Sequence, residues 1–134
     1  MGFNFWALSI TNGLTNYNQS ATGDGYANLL KYATGSSPTN SDNLAHIDGG
    51  QANGHFALKF NRNTNAIDVT LFVEGANALT NGTIWNGIAT NIAGAWSPTN
   101  VATETGAGTP VSVIVQDTAT MATNRFLRLR VTQH

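Results

Sequence analysis

Strict alternation of apolar and polar residues begins near residue 55 and continues to the end of the chain; before it the pattern has helical spacing. Phe5, Trp6, Leu8 and Ile10, with Leu14 beyond, fit a short helix ended by an Asn12-Gly13 C-cap. An edge strand is the alternative, because FNFWALSI also alternates in part. The stretch Asp24–Pro38, DGYANLLKYATGSSP, has a complete helix signature. Leu29, Leu30, Tyr32 and Ala33 supply its apolar stripe, Gly35 stops it and Pro38 leads the chain away. Residues 36–53 are rich in Ser, Asn and Asp and carry Gly49-Gly50, which predicts an irregular crossing segment.

Strand signals follow at intervals of about ten residues. Phe56, Leu58 and Phe60 alternate with Ala57, Lys59 and Asn61. Beyond the turn-rich NRNTNA, Ile67, Val69, Leu71 and Val73 alternate with Asp68, Thr70, Phe72 and Glu74, and the two runs are expected to form a hairpin. TIWNGIAT, with Ile84 opposite Trp85, is the next strand, followed by a short element at Trp96 and a polar edge around Val101–Thr105. Val111, Val113 and Val115 form another strand, and RFLRLRVT the last, with Leu127, Leu129 and Val131 opposite Phe126, Arg128 and Arg130. The expectation is a mostly β chain: an antiparallel sandwich of the immunoglobulin or fibronectin-III type, with six or seven strands, preceded by two short α-helices. Residues 1–36 would form a helical lead segment packed on a sandwich spanning 54–134, all one domain.

Composition narrows the function classes. Charged residues are only 10 % of the chain, where a quarter is usual, and six Lys and Arg face seven Asp and Glu. That balance provides no electrostatic funnel toward nucleic acid or anionic lipid. Without cysteine there is no disulfide scaffold or thiolate chemistry, and no apolar run approaches the about 18 residues of a membrane helix. The amino-terminal stretch lacks the basic flank and small-residue site of a signal peptide and reads as a folded element.

Catalytic constellations are absent from the pattern. His46 and His55, with Asp48 between them, lack tight metal-ligand spacing and read as surface residues, and His134 is terminal. Asp68 and Glu74 are expected on one outward strand face, paired with Lys59 and with Arg128 or Arg130. No nucleophile elbow or phosphate-binding glycine loop is present, so neither an enzyme nor a cofactor is expected. The aromatic residues offer the best ligand chemistry, since sugar rings stack on exposed indole and phenol faces while amides supply directional hydrogen bonds. Trp96, Tyr17, Tyr26, Phe72 and Trp85 are the candidates. Trp85 and Trp6 are expected in the core, and Trp96, between Gly94-Ala95 and Ser97-Pro98, has the most open surroundings.

The order of Trp6, Asp24-Gly25-Tyr26-Ala27-Asn28-Leu29-Leu30-Lys31-Tyr32-Ala33, Trp85 and the terminal Asn124-Arg125-Phe126-Leu127-Arg128-Leu129-Arg130-Val131 resembles a known pattern. It is similar to the C-terminal region of many large secreted proteins of planctomycete- and verrucomicrobia-type bacteria, with a DGxxNLLEYALG helix and a terminal RRFLRLRV strand. The resemblance implies a secreted, cell-surface-associated, non-catalytic module at the end of a longer parent. In that pattern the loop before the helix often looks like a calcium loop. Here Ser20, Thr22, Asp24, Asn28 and Lys31 fall on its ligand positions, leaving one carboxylate and placing a cation where the bidentate Glu belongs. The loop therefore reads as an eroded one that binds no metal, with Asp24 capping the following helix at the amides near Ala27. The expected role is binding or anchoring to polysaccharide or cell-surface material. A self-assembling subunit joined through strand edges, or a C-terminal sorting domain, is the alternative.

Overall fold

The computed structural model describes residues 2–121 and 124–134, and it is a β-sandwich of two four-stranded antiparallel sheets. One sheet contains β1 (Asp48–Ala52), β2 (His55–Arg62), β6 (Ala102–Thr105) and β7 (Val111–Thr120), in the order β1-β2-β7-β6. The other contains β3 (Val69–Ala76), β4 (Asn86–Ile92), β5 (Ala95–Ser97) and β8 (Phe126–Gln133), in the order β5-β4-β3-β8. Two short α-helices precede them, α1 (Phe3–Trp6), continued by a 3-10 turn over Ala7–Ser9, and α2 (Asn28–Thr34).

The period-two apolar sets meet between the sheets. Leu58 and Phe60 of β2 and Val111, Val113 and Val115 of β7 face Val69, Leu71 and Val73 of β3 and Ile88 of β4, all buried. Each such side chain contributes about 1.5–3 kcal/mol by leaving water. Ile67, counted with the β3 set, lies before the strand and is exposed.

The expected hairpin between β2 and β3 does not form. The chain crosses from one sheet to the other at residues 63–68, and the two strands stack face to face as opposite walls of the core. Their apolar faces are satisfied either way, so alternation alone does not choose between pairing and stacking. The crossing is anchored by Asn63, whose amide N–H donates to Ala33 O at 2.8 Å and whose side chain donates to Tyr32 O at 2.9 Å. An eighth strand, β1, lies in the segment expected to be irregular. It pairs with β2 through the Asn53-Gly54 turn, both residues having positive φ, as a tight hairpin requires.

The lead segment differs from expectation in which face it buries. Phe3, Ala7 and Ile10, spaced i, i+4, i+7, are the buried set, while Phe5 and Leu8 stay 56 % and 74 % exposed. The stretch carries two apolar faces, and docking selects the one containing Phe3. Asn12-Gly13 lies beyond the helical turns, where the Asn12 side chain accepts from Leu14 N–H at 3.1 Å; it is a turn and not the helix cap. At α2, Gly35 adopts φ 88°, its N–H donates to Tyr32 O and that of Ser36 to Lys31 O, the paired bonds of a Schellman stop.

Asp24 does not cap α2. Its Oδ1 accepts from Tyr26 N–H, closing a local turn, and the carbonyls of Gln19 and Tyr17 receive the amides of Asn28 and Leu29. Asp68 ties the pieces together. It accepts from Phe3 N–H at 3.0 Å, Tyr32 Oη at 2.6 Å and Gln133 Nε2 at 3.2 Å, joining α1, α2 and β8. It does not pair with Lys59, because it precedes β3 and points at the helices.

Candidate functional site

Beside Asp68 the docked helices leave a groove of about 830 Å³. Phe5, Trp6 and Leu8 form its apolar wall, while Asn63, Asn65 and Thr109 from two loops form a polar wall opposite. The geometry follows from the choice of buried face: turning Phe3 inward leaves Phe5 and Leu8 aimed outward along the rim. Trp6 is fixed by its indole N–H, which donates to Ser36 O at 3.2 Å, and by ring contacts with Phe3 and Tyr32 at 5.6 and 5.8 Å. On the polar side Thr109 Oγ1 donates to Asn63 Oδ1 at 2.9 Å and accepts from Thr64 N–H, which holds the loops together. Among the described lining residues none is Asp, Glu, His, Lys or Arg. Tyr32 is the titratable group there, and burial together with Asp68 pushes its pKa up, away from the range useful for proton transfer. A concave wall of aromatic faces opposite amides and hydroxyls suits a neutral, ring-shaped, polar ligand.

The aromatic candidates from the sequence are not brought together. Trp96 points inward, packs on Phe60 with ring centroids 6.2 Å apart, and donates from Nε1 to Glu104 Oε2 at 2.8 Å. Tyr17 packs on Phe3 with ring centroids 4.5 Å apart and planes inclined by 53°. Tyr26 directs its hydroxyl at His46 Nδ1, 3.2 Å away. Phe72 and Trp85 share the outer face of the second sheet, each under an arginine: Arg130 over Phe72 at 4.0 Å and Arg128 over Trp85 at 4.2 Å. Both tryptophans are partly buried, Trp96 against the core and Trp85 outside it. Trp85 precedes β4 and is only partly buried against a guanidinium, whereas the β4–β5 turn at Ala93-Gly94 folds Trp96 back onto the core.

The loop before α2 holds an internal cation. Lys31 Nζ donates to Thr22 Oγ1 at 3.1 Å, Asp24 Oδ2 at 2.8 Å and Asn40 O at 3.0 Å. Ser20 Oγ donates to Asp24 Oδ1, and the Asn28 side chain bridges Ala21 N–H and the carbonyls of Leu14 and Asn16. Burial pushes the Asp24 carboxyl up, but the bonds from Lys31, Thr22 and Tyr26 N–H prevail and bring its pKa down to about 2.

The histidines are dispersed. His46 Nε2 lies 2.8 Å from Asp48 Oδ1, His55 Nδ1 contacts Ala119 O and His134 Nδ1 contacts Thr70 Oγ1. No group of three His, Cys, Asp or Glu side chains converges among the described residues. The groove residues Phe5, Asn63, Asn65 and Thr109 were not distinguishable as a set in the sequence, because they come from separate segments with no local spacing to link them. Comparison with protein-family models, with curated proteins and with solved structures finds no match to this chain.

Proposed function

We propose that this chain is a non-catalytic, extracellular accessory domain of a larger secreted protein, and that it binds glycan or cell-surface material through the groove beside α1. The observation that carries this reading is the exposure of Phe5 in a cleft that Asn63 and Asn65 also line and whose described lining carries no charged side chain. An exposed phenyl face offers stacking area to the C–H face of a sugar, and amides offer paired donors and acceptors to its hydroxyls. The family resemblance of the NLLKYATG and RFLRLRV segments supports the secreted, terminal placement.

A glycan array probed with the intact domain tests the reading. Neutral saccharides are expected to bind in the presence of EDTA, and Phe5→Ala and Asn65→Ala are each expected to weaken binding at least about tenfold without changing the melting temperature. A ligand that both variants bind as well as the parent, or an array without a single ligand, overturns it.

A further inference from the structure

The outer face of the second sheet carries a second, chemically different site. Arg128 stands directly across from Glu74 in the β3–β8 register, and Arg130 across from Phe72. Arg130 reaches Glu74 with two bonds, Nε to Oε1 at 3.0 Å and Nη2 to Oε2 at 3.2 Å. Arg128 uses only Nε, at 3.0 Å to Oε1, so its two terminal amino groups donate to no acceptor among the described residues. Elsewhere Arg62 and Arg125 each close on a carboxylate of their own, Glu104 and Asp117, with two bonds apiece. Here two guanidinium groups share one carboxylate and leave one positive charge in excess. The bonds from the arginines hold the Glu74 carboxyl below its usual range, so the carboxylate stays ionised and the arrangement persists across ordinary pH.

The excess charge is both accessible and fixed in orientation. Both arginine side chains are 41 % exposed, and each is held before any ligand arrives by its bond to Glu74 and by a ring beneath its guanidinium carbon, Trp85 at 4.2 Å for Arg128 and Phe72 at 4.0 Å for Arg130. Exposed Ile92 lies on the same face, through its register with Thr70, and adds an apolar border. A planar, pre-oriented fork with two free donors matches one carboxylate. It does not match a dense polyanion: nucleic acid and anionic membranes are held by many cations together, and this chain has a net charge of -1.

We propose that this face binds an otherwise neutral polysaccharide bearing widely spaced uronate groups, with Arg128 taking a single carboxylate and exposed Ile92 bordering the sugar beside it. The site is separate from the groove and does not depend on neutral-sugar binding there.

Titration calorimetry of the intact chain with a neutral xylo-oligosaccharide carrying one glucuronate, and with its methyl ester as the uncharged counterpart, tests the proposal. The acid is expected to bind at least about tenfold tighter than the ester, with the difference shrinking as salt rises. Arg128→Gln is expected to abolish that preference. Arg128→Lys, which keeps the charge and loses the fork, is expected to retain only part of it and guards against a folding effect of the first variant. Phe5→Ala is expected to leave the acid preference untouched, which separates this site from the groove. Equal binding of acid and ester, an undiminished preference in Arg128→Gln, no binding of the acid, or tighter binding of single-stranded nucleic acid or phosphatidylserine vesicles overturns it.

Discussion

Lys31 Nζ lies 2.8 Å from Asp24 Oδ2 with its side chain 1 % exposed, and its remaining protons go to Thr22 and Asn40. All three donors of the ammonium are therefore used. The loop folded around this cation also supplies the Gln19 and Tyr17 carbonyls that receive the first amides of α2. Lys31→Met is expected to cost about 3–5 kcal/mol in denaturant unfolding, because it leaves Asp24 buried without its counter-charge.

The same pair predicts an acid-sensitive step. The Asp24 pKa falls from the ordinary 3.8 to about 2 on folding. A depressed carboxyl stabilises the fold fully above its unfolded pKa, and that contribution disappears as pH drops through the folded value. About 2 kcal/mol should thus be lost between roughly pH 4 and pH 2. Stability measured against pH should show a shallower acid limb in Asp24→Asn than in the parent; identical limbs would contradict the assignment.

Asp68 is held from three elements, and its bond from Tyr32 Oη is the shortest, at 2.6 Å. Tyr32→Phe keeps the packed ring and removes that donor from a charged acceptor. A loss of about 1.5–3 kcal/mol is expected. Amide exchange at Phe3, whose N–H shares Asp68, should accelerate as well.

Gly35 sits at φ 88°, and a Cβ there would lie 3.1 Å from Pro110 Cβ. Gly35→Ala should therefore lower stability by about 1–2 kcal/mol from the left-handed backbone alone. Because Gly35 and Pro110 lie beside Trp6 and Thr109, the variant should also shift the Trp6 fluorescence.

Much of this architecture is legible in the chain itself. The strands built on Leu58 and Phe60, on Val111, Val113 and Val115, and on Leu127, Leu129 and Val131 follow from alternation, since period two places one face in the core whatever the partners are. The stop of α2 at Gly35 follows from a conformation that glycine adopts without strain. The pairing of Glu74 with Arg128 and Arg130 was expected as well, because like-facing residues on neighbouring strands meet across a sheet. The β1–β2 hairpin turns at Asn53-Gly54 within a stretch whose Ser, Asn, Asp and Gly49-Gly50 content predicts an irregular segment, because the pairing of β1 rests on its neighbour and not on an apolar alternation of its own.

By itself, then, the sequence determined the local elements, their apolar faces and the low-charge surface, because these depend on spacings of two to four residues and on composition. The stacking of β2 on β3, the choice of Phe3 over Phe5 as the buried face, the inward turn of Trp96 and the meeting of Phe5 with Asn65 were decided only by the tertiary structure. Each depends on how separate segments pack, and packing contacts join residues tens of positions apart that no local pattern relates.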